Sequence, residues 1–152
     1  EYTELLCRDI AEYFKDQGIQ TVIGPATGGI ILSQVTARIL GVRSIFTERE
    51  HGVMTLRRGF HIDPGEKVLI VEDIVTTGGS IKEVVNVVKK AKGDIVGIGL
   101  LVDRSGGKAD FGVPKDKVHP LLHLEVPTYT PEECPLCRQH IPLTERGSHH
   151  LK

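Results

Sequence analysis

Apolar residues along this chain alternate between helical spacing and short continuous runs, which predicts helices and buried strands in turn. Leu6, Ile10 and Phe14, for example, recur at helical spacing, whereas residues 67–71 form a strongly apolar run. The pattern predicts helices over about 5–14, 30–40 and 78–92. It predicts strands over about 21–23, 43–47, 67–71, 94–102 and 118–126.

The order of these elements predicts an α/β fold, with a mostly parallel sheet flanked by helices on both faces. The chain of 152 residues has the length of one domain, and we expect its core to cover 1–126. Residues 127–152 carry four of the eight prolines, which predicts an irregular C-terminal strap of the same domain. Such sheets bind ligands at the carboxyl ends of their strands, so the loops there are the first candidates for a site.

Composition and charge narrow the choice of partners. The 19 basic and 20 acidic residues nearly cancel, which favours neither non-specific nucleic-acid binding nor a membrane surface. No run reaches the ~20 apolar residues of a membrane span. Residues 1–8 are too polar for a secretory signal peptide. Three cysteines are an odd number for a disulfide framework, so we expect a cytoplasmic protein with reduced thiols.

Residues 68–80, with the sequence VLIVEDIVTTGGS, are the most informative part of the chain. An apolar strand leads to Glu72 and Asp73, and a turn rich in hydroxyls and glycines then opens a helix. Backbone N–H groups in such a turn, together with the helix dipole, form a cradle for a phosphate. The two carboxylates repel a phosphate and suit hydroxyls or a hydrated divalent cation. Together, the two features describe a site for ribose 5-phosphate.

The plainest alternative for this segment is a strand end followed by a helix with Ser80 as its N-cap. A cap, however, does not require two carboxylates, two threonines and two glycines together. The segment contains neither the Gly-Lys-Ser/Thr of a Walker phosphate loop nor the G-x-G-x-x-G of dinucleotide-binding turns.

All thirteen positions of the segment resemble the donor-binding motif of the type I phosphoribosyltransferases. The resemblance implies the type I fold and the donor 5-phosphoribosyl 1-diphosphate (PRPP). It places Glu72 and Asp73 on the ribose hydroxyls. Both carboxylates are candidates for stabilising positive charge on the ribose during reaction, and Asp73 is the candidate catalytic residue. The donor-binding residues that it implies are Glu72, Asp73, Ile74, Val75, Thr76, Thr77, Gly78, Gly79 and Ser80.

A second glycine-rich loop, 25–29, follows the first predicted strand and opens the next helix. Glycine lets a backbone approach oxyanions closely. Members of the same family bind the pyrophosphate of the donor at this place, so the resemblance implies contacts from Ala26, Thr27, Gly28 and Gly29. The alternative is an ordinary turn between a strand and a helix.

The segment 48–59 is polar, basic and poorly periodic, which predicts a long loop or a loose hairpin. On its own it is typical of a solvated hairpin. It resembles the mobile catalytic loop of the orotate phosphoribosyltransferases, although it lacks the lysine that related loops commonly carry. In that family the loop closes over the diphosphate, often in the partner's site, so the resemblance implies a homodimer. The candidate loop residues are Arg49, His51, Arg57 and Arg58.

The segment 103–107, with the sequence DRSGG, ends a strand with a charged pair and a flexible turn. It closely resembles the base-binding loop of the orotate enzymes, in which the matching arginine holds the carboxylate of the base. A guanidinium can bind a carboxylate through two parallel hydrogen bonds. In the same family the first threonine of the phosphate loop contacts the base, so we expect Arg104 and Thr76 to bind orotate. The alternative is an ion pair between Asp103 and Arg104.

The resemblance covers about residues 1–148 and implies an orotate phosphoribosyltransferase, which forms orotidine 5′-monophosphate and pyrophosphate in pyrimidine biosynthesis. Mg2+ is the implied cofactor, held through PRPP and water rather than directly by the protein. Alternatives are a purine phosphoribosyltransferase, a regulatory protein that senses PRPP, and a structural domain with a fortuitous motif. Family members usually begin with a segment that covers the base, whereas this chain starts in the first core helix. We therefore expect either a fragment or an incomplete base site with weak turnover.

Cys134 and Cys137 form a C-x2-C pair, with His140, His149 and His150 downstream. Such residues can hold zinc or form a redox pair, but the spacing to the histidines does not fit a compact zinc finger. We expect plain reduced cysteines in a tail that resembles one branch of the orotate enzymes. Two further histidines flank the last predicted strand and are expected to be structural: His119 and His123.

Overall fold

A computed structural model describes residues 1–127 and 129–142. The strands are β1 (Thr21–Pro25), β2 (Arg43–Glu50), β3 (Val53–Leu56), β4 (Lys67–Val75), β5 (Asp94–Asp103) and β6 (Val118–His123). The helices are α1 (Tyr2–Phe14), α2 (Gly28–Leu40), α3 (Gly79–Lys90) and the short α4 (Pro135–Arg138). The strands form one sheet in the order β3-β2-β1-β4-β5-β6. Neighbouring strands are parallel except β2 and β3, which form an antiparallel hairpin at one edge.

Helices cover both faces of the sheet, and each face has its own hydrophobic core. Successive residues of β4 face opposite sides, as a strand buried on both faces requires. Val68 and Ile70 belong to the core that includes the buried stripe of α3, whereas Leu69 and Val71 belong to the core that includes α1 and α2. The predicted α/β fold is therefore confirmed.

Two glycines in β5 allow α1 to lie directly against the sheet. A Cβ atom at Gly97 would come within 2.2 Å of the Phe14 ring, and one at Gly99 within 2.5 Å of the Ile10 side chain. Phe14 and Ile10 are both fully buried. Side chains at the two glycine positions would push α1 away from β5.

The strands that lead to the candidate residues are longer than the apolar pattern predicted. The prediction ended the strand over 67–71, its third, at Val71, but the corresponding β4 continues through the acidic pair to Val75, because its backbone pairs with β5 as far as Asp103. Backbone pairing does not depend on the polarity of the side chains, so the change from apolar to acidic residues at position 72 does not mark the end of the strand. Residues 48–59 adopt the hairpin alternative, in which β2 runs to Glu50 and pairs with β3.

The neighbouring strands β1, β4 and β5 run parallel, so their carboxyl ends meet at one edge of the sheet. The glycine-rich loops that follow these strands consequently lie side by side. After β6 the described chain is mostly exposed and forms hydrogen bonds within itself, for example from the Cys134 N–H to the Thr130 carbonyl at 2.9 Å. The boundary between core and strap at residue 126 stays a prediction. Among the described residues, no helix is long and apolar enough to cross a membrane.

Candidate functional site

The acidic pair, Glu72 and Asp73, lies near the C-terminal end of β4. The Glu72 side chain is buried, and its carboxylate accepts a hydrogen bond from the Asp73 N–H at 3.1 Å. Burial, followed by the neighbouring Asp73, raises the pKa of Glu72 to about 8. At neutral pH this carboxyl group is therefore mostly protonated, so it can donate a hydrogen bond as well as accept one. Asp73 is only partly buried and accepts a hydrogen bond from the Ile74 N–H at 2.7 Å.

The turn after β4 presents backbone N–H groups at the start of α3. The helix begins at Gly79 with Gly78 as its cap, and no side chain caps it, so the alternative of Ser80 as N-cap is wrong. Gly78 has φ 82°, and a Cβ atom there would lie 2.9 Å from the Phe111 ring, so glycine is required on both counts. The first turn of α3 therefore keeps N–H groups for an external anion.

These N–H groups border a cavity of about 150 Å³, which we call the phosphate cavity after its predicted ligand. Thr76, Thr77 and Ser80 contribute hydroxyls to its wall, and Glu72 closes one side. The predicted donor residues 72 and 74–80 all line this cavity, so the structure brings them together. Hydroxyl and N–H donors beside a carboxyl group match the phosphate and hydroxyl ends of a sugar phosphate.

The loop between β1 and α2 lies against the acidic pair. A Cβ atom at Gly28 would be 2.3 Å from Oδ2 of Asp73, so the carboxylate lies directly on the glycine backbone. Gly24 and Gly29 make a similar backbone-to-backbone approach, with 2.4 Å from a Cβ atom at Gly24 to the Gly29 carbonyl oxygen. The Ala26–Thr27 peptide bond is cis. The start of α2 thus adds a second helix N-terminus beside Asp73, on the opposite side from α3.

A second cavity, of about 390 Å³, also borders Thr76 and Thr77, and we call it the base cavity after its predicted ligand. Thr76 and Arg104 both line it, so the two residues predicted to bind the base are brought together. Asp103 and Arg104 do not form the ion pair that was the alternative. The Asp103 carboxylate instead binds the backbone N–H groups of Ser105 and Gly107, at 2.8 and 3.2 Å.

The basic hairpin contributes one arginine to the phosphate cavity. Arg49 lines that cavity, and its Nη2 lies 2.9 Å from Oε2 of Glu83 on α3. Arg58 contacts both carboxylate oxygens of Glu48, at 3.1 and 3.3 Å. Three of the four predicted loop residues, His51, Arg57 and Arg58, are exposed or paired within the hairpin and do not line the described cavities.

Sequence reasoning missed three charged residues of the two cavities. Glu83 faces the phosphate cavity from the second turn of α3, where its sequence position marks it as an ordinary helix surface residue. Lys108 and Glu125 line the base cavity, and their charged groups lie 3.7 Å apart. Lys108 directly follows the Ser-Gly-Gly turn, which is a signal that could have found it.

The cysteines and histidines among the described residues do not line either cavity. Cys134 and Cys137 are free thiols, and within 1–127 and 129–142 no group of three or more His, Cys, Asp or Glu residues could hold a metal. His149 and His150 lie outside the described residues. His119 stacks on Tyr13 with ring centroids 3.7 Å apart, which fits a structural role.

The sequence matches a known protein family and several known proteins over most of its length. Residues 3–115 match the family model described as the phosphoribosyl transferase domain. A protein from Desulforamulus reducens called orotate phosphoribosyltransferase is 56% identical over 99% of this chain and 78% of its own length. Proteins of the same name from Pelotomaculum thermopropionicum and Thermotoga maritima are 57% and 53% identical, over 97% and 100% of this chain and 76% and 80% of their own lengths.

Solved structures resemble the fold. The adenine phosphoribosyltransferase of Rhodothermus marinus has a TM-score of 0.65 and 26% identity, and the match covers 79% of this chain and 78% of that one. The adenine phosphoribosyltransferase of Thermoanaerobacter pseudethanolicus has a TM-score of 0.67 at 16% identity, with 79% of each chain covered. The second likeness bears on the fold alone.

Proposed function

This chain belongs to the phosphoribosyltransferase family and, within it, to the orotate phosphoribosyltransferases; from that membership we propose the reaction that ligands bound in its two cavities undergo. The protein transfers the 5-phosphoribosyl group from PRPP to orotate, giving orotidine 5′-monophosphate and pyrophosphate. One observation carries the proposal above the others: Thr76 and Thr77 line both the phosphate cavity and the cavity that contains Arg104. A donor in the first cavity is therefore adjacent to an acceptor in the second.

The donor would lie with its 5-phosphate in the turn 76–80 and its ribose on the acidic pair. The N–H groups at the start of α3 and the nearby hydroxyls bind phosphate oxygens without adding charge. Glu72 and Asp73 accept hydrogen bonds from ribose hydroxyls, and a protonated Glu72 can also donate one. The loop 26–29 touches Asp73 through Gly28, so it is placed to bind the diphosphate by its backbone.

Arg104 supports orotate as the acceptor. A guanidinium at the base cavity suits a base that carries a carboxylate, because the two groups can form parallel charge-assisted hydrogen bonds. Adenine has no such group. The adenine enzymes named above share the fold at 16–26% identity, whereas the orotate enzymes share more than half of the residues over nearly the whole chain.

The described residues fit a Mg2+ ion that is held mainly by the donor. Mg2+ keeps several waters and typically uses one or two carboxylates together with substrate phosphates. The Asp73 carboxylate contacts the proposed diphosphate loop at Gly28, and it would hold the water shell of the ion. The bound ion would supply neutralisation of charge on the diphosphate.

Catalysis by this site would depend on position and charge rather than on a protein nucleophile. As the diphosphate departs, the anomeric carbon of the ribose gains positive character, which an ionised Asp73 carboxylate stabilises. The N–H groups of the loop 26–29 stabilise the negative charge on the leaving group, and the Arg49 guanidinium does so once the hairpin 48–59 closes. Holding the base against the ribose supplies much of the rate, since it turns a bimolecular step into one within the complex.

Closure of the hairpin 48–59 completes this proposal. His51, Arg57 and Arg58 are exposed at the hairpin, so they reach a diphosphate only if the hairpin moves or acts on a neighbouring subunit. We therefore propose a homodimer in which this hairpin covers the partner's site. A closed hairpin would exclude water, which otherwise competes with orotate for the ribose.

The test is an absorbance assay of orotate consumption with PRPP and Mg2+, for the wild type, Arg104→Ala and Arg8→Ala. Arg8 is a matched control because it is exposed on α1 and, within residues 1–127 and 129–142, pairs only with Glu4, at 3.9 Å. We expect wild-type turnover, a fall in kcat/KM for orotate of about a hundredfold or more in Arg104→Ala, and no change in Arg8→Ala. Wild-type protein that binds PRPP but consumes no orotate would contradict the proposal.

A further inference from the structure

The loop that carries Arg104 has no helix or strand to hold it. It spans residues 104–109, directly after β5, and its Gly106 and Gly107 both have positive φ, 63° and 76°. In the described part of the chain, one backbone hydrogen bond ties the start of this loop to the sheet, from the Arg104 N–H to the Val75 carbonyl at 2.8 Å. Within the described residues, no ion pair or side-chain hydrogen bond fixes the Arg104 guanidinium. The position of Arg104 therefore depends on how the backbone of the loop 104–109 is held.

The Asp103 carboxylate supplies that anchor. Its Oδ1 accepts hydrogen bonds from the Ser105 N–H at 2.8 Å and the Ser105 hydroxyl at 2.6 Å. Its Oδ2 accepts one from the Gly107 N–H at 3.2 Å and faces Nδ1 of His123 on β6 at 3.3 Å. One carboxylate therefore holds both sides of the turn that follows Arg104.

Ser105 carries the same restraint further along the loop. Its hydroxyl oxygen, which donates to Asp103, also accepts a hydrogen bond from the Ala109 N–H at 3.0 Å. Asp103, Ser105 and Ala109 thus form a chain of hydrogen bonds that crosses the whole loop. Lys108 and Ala109, which this chain positions, line the base cavity together with Arg104.

The burial of Asp103 shows that the anchor is built for these bonds. The residue is 4% exposed, and a buried carboxylate is costly unless its oxygens are satisfied. Burial alone would raise the pKa of Asp103, but the bonds from Ser105 and Gly107, with the nearby His123, hold that pKa below its ordinary value. The carboxylate stays ionised, and charged acceptors form the stronger hydrogen bonds.

We propose that Asp103 is a positioning residue that holds Arg104 in the base cavity and thereby sets the preference for a base that carries a carboxylate. The proposal rests on the proposed function, since it assigns a cause to the selectivity of that same site. Asp103 does not touch the base. It acts through the loop 104–109, and His123 supports it from β6.

The proposal predicts a loss that depends on the carboxylate of the ligand. Orotidine 5′-monophosphate and uridine 5′-monophosphate differ only in that carboxylate, so calorimetric binding of both nucleotides isolates the contribution of Arg104. We expect Asp103→Ala to weaken binding of the first about ten- to a hundredfold and of the second less than about twofold. Asp103→Asn keeps one acceptor oxygen and should lie between the wild type and Asp103→Ala.

Asp110→Asn is the matched control. Asp110 lies on the same connection between β5 and β6, is exposed, and pairs with Lys82 at 3.3 Å away from the base cavity. Removing its charge should leave the affinity ratio of the two nucleotides unchanged. In steady-state assays, the Asp103 variants should raise KM for orotate while KM for PRPP stays within about twofold.

Three results separate the possible conclusions. Equal loss of both nucleotides in Asp103→Ala, or no loss of either, would overturn the positioning role. If Asp103→Ala fails to fold, Asp103→Asn and Ser105→Ala give the same ratio test, because Ser105→Ala removes only the two hydroxyl bonds. A wild type that does not prefer orotidine 5′-monophosphate would instead overturn the proposed function, whatever the variants do.

Discussion

Replacing Glu72 by glutamine should make the protein less sensitive to alkaline pH. The Glu72 side chain is 7% exposed, and burial raises its pKa from 4.5 to about 8. Because the pKa is higher in the folded state than in the unfolded state, folding favours the protonated form. The stability that this gives is fully present below about pH 4.5 and is lost as the pH rises through about 8. Glutamine resembles the protonated carboxyl group and does not ionise, so its stability has no matching dependence on pH.

The pKa difference sets the size of the effect. At 1.36 kcal/mol per pH unit, a rise from 4.5 to about 8 corresponds to about 5 kcal/mol. Relaxation and entry of water around the ionised group lower this figure, so we expect a change of about 3 kcal/mol between about pH 5 and pH 9. That is a large part of the ~5–15 kcal/mol that separates folded from unfolded domains.

Urea denaturation at a series of pH values, in buffer without divalent cations, measures the effect. The free energy of unfolding of the wild type should fall relative to that of Glu72→Gln as the pH rises. Glu133→Gln, at an exposed position in the tail, is the control and should follow the wild type. Parallel curves for the wild type and Glu72→Gln would refute the reasoning, because they would show that Glu72 titrates alike in both states.

Two further predictions concern the donor cavity. In Glu83→Gln, Arg49 loses the carboxylate that lies 2.9 Å away, so calorimetry should show ribose 5-phosphate binding about two- to fivefold tighter. Weaker binding would mean that Glu83 orients Arg49 rather than competing for it. Gly28→Ala would place a Cβ atom 2.3 Å from the end of the Asp73 side chain, which can turn away. KM for PRPP should therefore rise about tenfold or more with a thermal midpoint close to that of wild type, and an unchanged KM would show that Asp73 does not contact the donor.

The apolar pattern predicted the fold well because the central strands are buried on both faces. Val68 to Val71 alternate between two cores, which leaves a continuous apolar run as the sequence signal. The same signal could not place the end of β4. Its last residues, including Glu72, are held by pairing with β5, and backbone pairing leaves no mark in the side chains.

Most residues that line the phosphate cavity could be found from the sequence because they are contiguous, whereas the rest of the two cavities is assembled from distant segments. Residues 72–80 form one local structure, so their order alone indicates the chemistry. Glu83 reaches the phosphate cavity only because α3 turns it there. The contact between Gly28 and Asp73 depends on the order of β1 and β4 in the sheet, which local patterns do not specify.

The anchor of the base loop shows the same limit on a smaller scale. The sequence left two alternatives for Arg104: a contact with the base, which the family resemblance implied, or an ion pair with the adjacent and oppositely charged Asp103. In the structure the Asp103 carboxylate accepts hydrogen bonds from Ser105 and Gly107 and faces His123, which leaves Arg104 available for a ligand. Which of two local partners a carboxylate chooses depends on the turn that the glycines allow.

Product identification in a mixture of bases tests the central claim most directly. The protein would be incubated with PRPP, Mg2+ and equal concentrations of orotate, adenine, hypoxanthine and uracil, and the nucleotides formed would be separated and identified by mass. The account predicts orotidine 5′-monophosphate as the dominant product, together with pyrophosphate. A purine nucleotide as the main product would contradict the assignment of Arg104 to the carboxylate of the base.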